Sequence, residues 1–136
     1  MTNKILARVI IEIMASPKEH VKEVLDLVTE KLKNEKNFKI VKSETSKIKE
    51  IKGFYSAFSE FEIEFETIAD LLNLCFDYMP SSVEILEPEK IELDSHYFMD
   101  LTNDILAKLH QWDMLIKNVH AKNLVLTKRL NEKEKA

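Results

Sequence analysis

The sequence predicts an α+β fold, a β-α-β-β-α-β sandwich followed by a long C-terminal helix. Segments 4–14 and 60–66 alternate apolar and polar residues with period two, the mark of a half-buried strand. Each is followed by a helical-period segment that opens on capping residues. The last third of the 136 residues repeats apolar side chains at steps of three and four.

Residues 4–14 read as the first strand. Ile5, Ala7, Val9, Ile11 and Ile13 share one face, and Lys4, Arg8 and Glu12 share the other. Leu6 and Ile10 lie on that polar face, so partial cover is expected there too. Ser16 then reads as a helix cap, with Pro17 at the first helical position and Glu19 completing a capping box. Val21, Val24, Leu25, Val28 and Leu32 follow at helical spacing, and 34–37 reads as the exit turn.

Residues 38–51 read as one lysine-rich second strand, and Gly53 as a turn near its end. Residues 54–66 form the third strand. In it Glu60, Glu62, Glu64 and Glu66 face one way and Phe61, Ile63 and Phe65 the other. A hairpin through Gly53 is expected to bring Lys39, Lys42 and Lys47 near those glutamates, each pair adding roughly a few tenths of a kcal/mol. Thr67 and Asp70 cap a second helix carrying Ile68, Leu71, Leu72, Cys75 and Met79, which Pro80 ends. Residues 82–87 complete the order as a fourth strand, with Val83 and Ile85 expected inward. This is the ferredoxin-like arrangement, a four-stranded antiparallel sheet with two helices on one face. The expected division is a ferredoxin-like domain over 1–93 and a helical extension over 94–136.

Asp94 or Ser95 caps the last helix, which starts near His96. Phe98, Leu101, Ile105, Leu109, Trp112, Ile116, Val119, Leu126 and Leu130 form its stripe, with a gap at Asn123. A continuous helix over 96–132 would be about 55 Å long, roughly twice the extent of such a sheet domain. It must overhang, break or pack on another chain. Asn118 and Asn123 mark the expected break, and 123–130 is an alternative strand. The residues expected to form a subunit interface are Phe98, Leu101, Ile105, Leu109, Trp112, Ile116, Val119 and Leu126. Trp112 reads equally as ordinary core or as the anchor of that interface.

Composition narrows the function. Apolar residues are 45% and charged residues 32%, the balance of a globular domain. One glycine excludes a glycine-rich phosphate loop, and one cysteine excludes a disulfide framework or a cysteine-based zinc cluster within the chain. The longest apolar run is a few residues, too short to span a bilayer, and the N-terminus lacks a secretory pattern, so a cytoplasmic protein is expected. The net charge of −4 is unevenly spread: residues 60–104 hold 13 acidic residues against Lys90 alone, and the flanks carry a net +8. An acidic middle with basic flanks suggests complementary protein surfaces and makes nucleic acid an unlikely main partner.

The chemistry-bearing residues form no recognisable catalytic grammar. The glutamate row of the third strand spaces its carboxylates roughly 6–7 Å apart, too far for tight chelation. His96, Asp100 and Asp104 recur a helical turn apart and are weak metal candidates; acids near a helix start are expected from the dipole alone. His20, His110 and His120 have no partner at a telling spacing. Cys75 lies on an apolar helix face, where a free thiol packs as a small hydrophobe. The basic tail at Lys128 and Arg129 complements the helix dipole. No catalytic residue, cofactor or firm metal site is expected.

The first functional expectation is therefore a non-enzymatic structural or interaction protein, a homo-oligomer joined through its C-terminal helix, whose partner is itself or another protein. The strand-helix order over 4–87 also resembles that of ACT-type regulatory domains. The resemblance implies a small ligand, an amino acid, held at a subunit interface; this chain has Ser16-Pro17 where those domains often carry glycine. A third expectation is RNA binding on the sheet, for which only Phe54, Tyr55 and Phe58 are placed to stack.

Overall fold

The computed structural model describes residues 4–135. Its elements are β1 (Ile5–Ala15), α1 (Lys18–Lys33), β2 (Phe38–Thr45), β3 (Lys49–Ile51), β4 (Phe54–Phe65), α2 (Ile68–Tyr78), β5 (Ser82–Glu87) and α3 (Ser95–Glu134). They form two compact units, Met1–Glu92 and Leu93–Ala136. Among the described residues no helix is long and apolar enough to cross a membrane.

The first unit is an antiparallel sheet with strand order β2-β4-β1-β5, and β3 pairs with β4. Its centre is the β1–β4 ladder, in register from Ile5 opposite Phe65 to Ala15 opposite Tyr55. Alternation then sends Ile5, Ala7, Val9 and Ile11 to the same side as Phe61, Ile63 and Phe65. All seven are buried, with Leu32 of α1 and Leu71 and Leu74 of α2 packed among them. Phe38 sets its ring against Phe65 at 5.3 Å, a tilted pair. A smaller cluster joins Val21 and Leu25 of α1 to Ala57 of β4.

The sheet has five strands, not four. The expected strand over 38–51 divides because Ser46 leaves the ladder. The Ser46 N–H donates to the Phe58 carbonyl at 2.8 Å. Its hydroxyl in turn accepts the Phe58 N–H at 2.9 Å, taking the place of a strand carbonyl. Beside it, the Thr45 and Ser59 hydroxyls pair at 2.9 Å, which satisfies the buried Ser59. Pairing resumes only at Lys49.

The α1 cap also departs from expectation. Pro17 occupies the N-cap position and supplies no side-chain hydrogen bond, so the Ser16–Glu19 box does not form. Proline there has no acceptor, and Ser16 stands one residue too early to reach the first turn. The second cap is as read: the Thr67 hydroxyl accepts the Asp70 N–H at 3.1 Å. Met79 closes α2 in the left-handed region, φ 49°, just before Pro80. Tyr78, in the last turn of α2, donates its hydroxyl to the Glu35 carboxylate after α1 at 3.0 Å. Burial, and then this bond, push the Tyr78 phenol well above its usual range.

Val83 and Ile85 were expected inward and are instead exposed. They stand opposite Val9 and Ala7 in register, but β5 is the edge strand, where less surrounds each side chain.

The turn from β3 to β4 takes only two residues. Lys52 and Gly53 both have positive φ, 51° and 85°, the geometry of a two-residue hairpin that matches strand twist. A Cβ added at Gly53 would meet nothing within 4 Å. The cost of Gly53→Ala is therefore purely conformational, expected at about 1–2 kcal/mol and read as a lower urea midpoint with an unchanged m-value.

Candidate assembly surface

α3 opens on Asp94, whose carboxylate accepts the Tyr97 N–H at 2.8 Å. It then runs unbroken for 40 residues, about 60 Å. There is no break at Asn118 or Asn123, and 123–130 is not a strand. Asparagine costs at most about 0.7 kcal/mol in a helix, too little to interrupt one rich in leucine and lysine. Asp113 and Lys117, one turn apart at 2.7 Å, add local support.

The predicted stripe divides in two. Leu101 is buried, and Ile105 and Trp112 are half-buried. Phe98, Leu109, Ile116, Val119 and Leu126 are exposed, Ile116 by 67% and Leu126 by 53%. Leu130, the last member of the stripe, is exposed by 62%, and Leu115, outside the stripe, by 60%. Beyond Trp112 the helix therefore presents apolar side chains at steps of three and four with nothing over them. A groove of about 360 Å³ lies along this stretch between Leu115, Ile116, Val119, His120 and Asn123. A second, of about 400 Å³, lies between Ala121, Lys122, Val125, Leu126 and Arg129. Isolated exposed leucines are ordinary; a continuous helical stripe of them is a candidate interaction surface.

The polar candidates are engaged elsewhere. His96 Nε2 lies 3.6 Å from an Asp100 carboxylate oxygen, and Asp104 does not join them. Among the described residues no three His, Cys, Asp or Glu side chains stand together as a metal site. Of the glutamate row, Glu60 and Glu62 form ion pairs with Arg8 of β1 rather than with the lysines of β2, and Glu66 pairs with Lys4 at 3.7 Å. Lys39 and Lys42 do stand opposite Glu64 and Glu62 in register, yet the ion pair Lys42 makes is with Glu44, at 3.7 Å. Arg8 approaches Glu60 at 3.3 Å, Glu62 at 3.3 Å and Glu84 of β5 at 2.9 Å. Its hydrogen bonds to Glu62 and then Glu84 hold the guanidinium still more firmly protonated. The signal for this cluster was present, since alternation puts Arg8 on the glutamate face; the strand that would lie beside β4 was not readable. A basic cleft of about 470 Å³ lies between α1 and the 45–48 connection, lined by Lys18, Lys22 and Lys47 among others.

Cys75 is half-buried against the main core, and burial raises its thiol pKa. It is expected to react with a thiol reagent at pH 8 several-fold more slowly than a free cysteine, and at the free rate in urea. Equal rates in both states would show that burial does not protect the thiol.

A family model described as the MJ0538 family matches residues 6–135. A relative from Methanocaldococcus jannaschii, described as uncharacterized protein MJ0538, is 30% identical over 98 residues, which are 71% of this chain and 35% of the relative. This chain thus spans about a third of that relative's length. No solved structure matches.

Proposed function

The chain belongs to the MJ0538 family, and from that premise we propose that it is a non-enzymatic interaction protein that assembles as a homo-oligomer through its C-terminal helix. The observation behind this reading is the apolar stripe that α3 leaves uncovered over Ile116, Val119, Leu126 and Leu130. Each square ångström of it removed from water contributes about 25 cal/mol, a drive that one copy of the helix leaves unused. The chemistry-bearing side chains fit a structural role: Arg8 is held by three glutamates, His96 by Asp100, and the Cys75 thiol is less acidic than a free one. We read the first unit as ferredoxin-like, with β3 a short addition inside the second hairpin, and its single cysteine suits the reducing cytoplasm.

Light scattering tests the assembly. The full chain is expected to have an oligomeric mass, and the chain ending at Leu93 a monomeric one. A monomeric full chain at every concentration overturns the proposal.

The basic cleft beside α1 favours a second reading, a regulatory domain that binds a small anionic ligand. Amino acids and nucleotides would then raise the thermal midpoint by several degrees, and substituting Lys22 and Lys47 by Ala would abolish the rise. A flat response across both compound classes excludes it.

A further inference from the structure

The stripe beyond Trp112 has a register as well as an exposure. Numbered as heptads, Leu109, Ile116, Asn123 and Leu130 take the a positions, and Trp112, Val119 and Leu126 take the d positions. The repeat holds for three heptads without a slip, and α3 is continuous through all of it. Resting on the assembly reading above, we infer that α3 pairs with α3 of a second copy as a parallel, in-register, two-stranded coiled coil over Leu109–Leu130, with Asn123 facing Asn123 across the two-fold axis.

Three independent features point to that occupant and that direction. The first is shape. Four of the five residues lining the 360 Å³ groove, Ile116, Val119, His120 and Asn123, are the a, d, e and following a positions of one heptad. Those four positions make the hole that receives a d-position knob in a parallel pair, here Val119 of the second copy. The second is the asparagine. One polar residue at an a position inside an apolar seam can bond its own counterpart only when the two chains are parallel and in register. The gap that Asn123 leaves in the stripe is then the element that fixes alignment and chain number.

The third is charge. The g positions are Lys108, Leu115, Lys122 and Arg129, and the e positions are Asp113, His120, Thr127 and Glu134. In a parallel pair each g residue faces the e residue five places on in the other chain. Arg129 then meets Glu134, and Lys108 meets Asp113, with no like-charge contact. In an antiparallel pair g faces g, which sets Lys122 and Arg129 against the same residues of the other copy. A second copy in parallel is thus the occupant whose charges agree with the seam.

The test is disulfide trapping in the full chain with Cys75→Ser, beside light scattering of the same samples. Val119→Cys and Leu126→Cys, each alone, are expected to form an interchain disulfide on mild oxidation, because in-register d positions approach within disulfide reach. An antiparallel pair can bring at most one of these positions to its own counterpart, since they lie about 10 Å apart along the helix. A dimeric mass with trapping at only one site, or only between a mixture of the two variants, overturns the inference and leaves the assembly reading standing. A monomeric mass with no trapping overturns both. Asn123→Val is expected to raise the thermal midpoint and to admit species of three or more chains. If it changes neither, Asn123 is not in the seam and the inference falls.

Discussion

The fold of the first unit depends on the antiparallel pairing of β1 with β4. These two strands occupy the centre of the sheet, and each has a neighbour on its other side, β5 beside β1 and β2 beside β4. Eleven residues of each strand are in register. One such ladder sorts both sequences at once. Ile5, Ala7, Val9 and Ile11 of one strand and Phe61, Ile63 and Phe65 of the other turn to the helices, and Arg8, Glu60 and Glu62 meet on the opposite face. A slip by one residue would turn one strand over relative to the other, putting either Arg8 into the core or Phe61 into water, so the register is strongly specified.

The same pairing accounts for the charge pattern of the sheet. A row of glutamates on one strand repels itself unless a cation stands among them. β1 supplies that cation at its centre, and Arg8 reaches carboxylates on β4 on one side and β5 on the other. The guanidinium fork suits this position because it presents several donors in a plane. Lys42 of β2 pairs instead with Glu44 of its own strand. The acidic middle of the sequence is thus partly neutralised within the first unit rather than kept wholly for a partner.

α3 follows a different economy. Its length comes from local propensity, a sound cap at Asp94 and turn-to-turn ion pairs, none of which depends on the sheet. A helix of this kind persists where its apolar stripe finds cover. The stripe keeps a seven-residue repeat rather than drifting around the helix. That repeat is what lets one seam stay facing one partner over several turns. Leu124 and Val125, at b and c positions, lie on the outer side of the helix, away from the seam, and are exposed.

The sequence by itself determined what short-range physics encodes. Alternation in 4–14 and 60–66 placed two strands and chose their buried faces. Thr67 and Pro80 bounded α2, Asp94 opened α3, and a single glycine located the hairpin turn. The stripe of α3 was legible in its period, which is a local property of a helix; which part of it is covered was not, since Leu101 is buried and Ile116 exposed. Tertiary structure alone decided which strands lie side by side, and with that the partner of each charge: Arg8 meets Glu60 and Glu62, and Lys4, not a lysine of β2, meets Glu66. It also decided that Ser46 splits a strand by bonding Phe58 twelve residues away, and that Pro17 opens α1 without the expected box. Val83 and Ile85 show the same limit, since a strand's alternation says which way a side chain points and only its place at the sheet edge says how much surrounds it. The common reason is that pairing and cover between distant segments depend on loop closure and packing, which no spacing within one segment records.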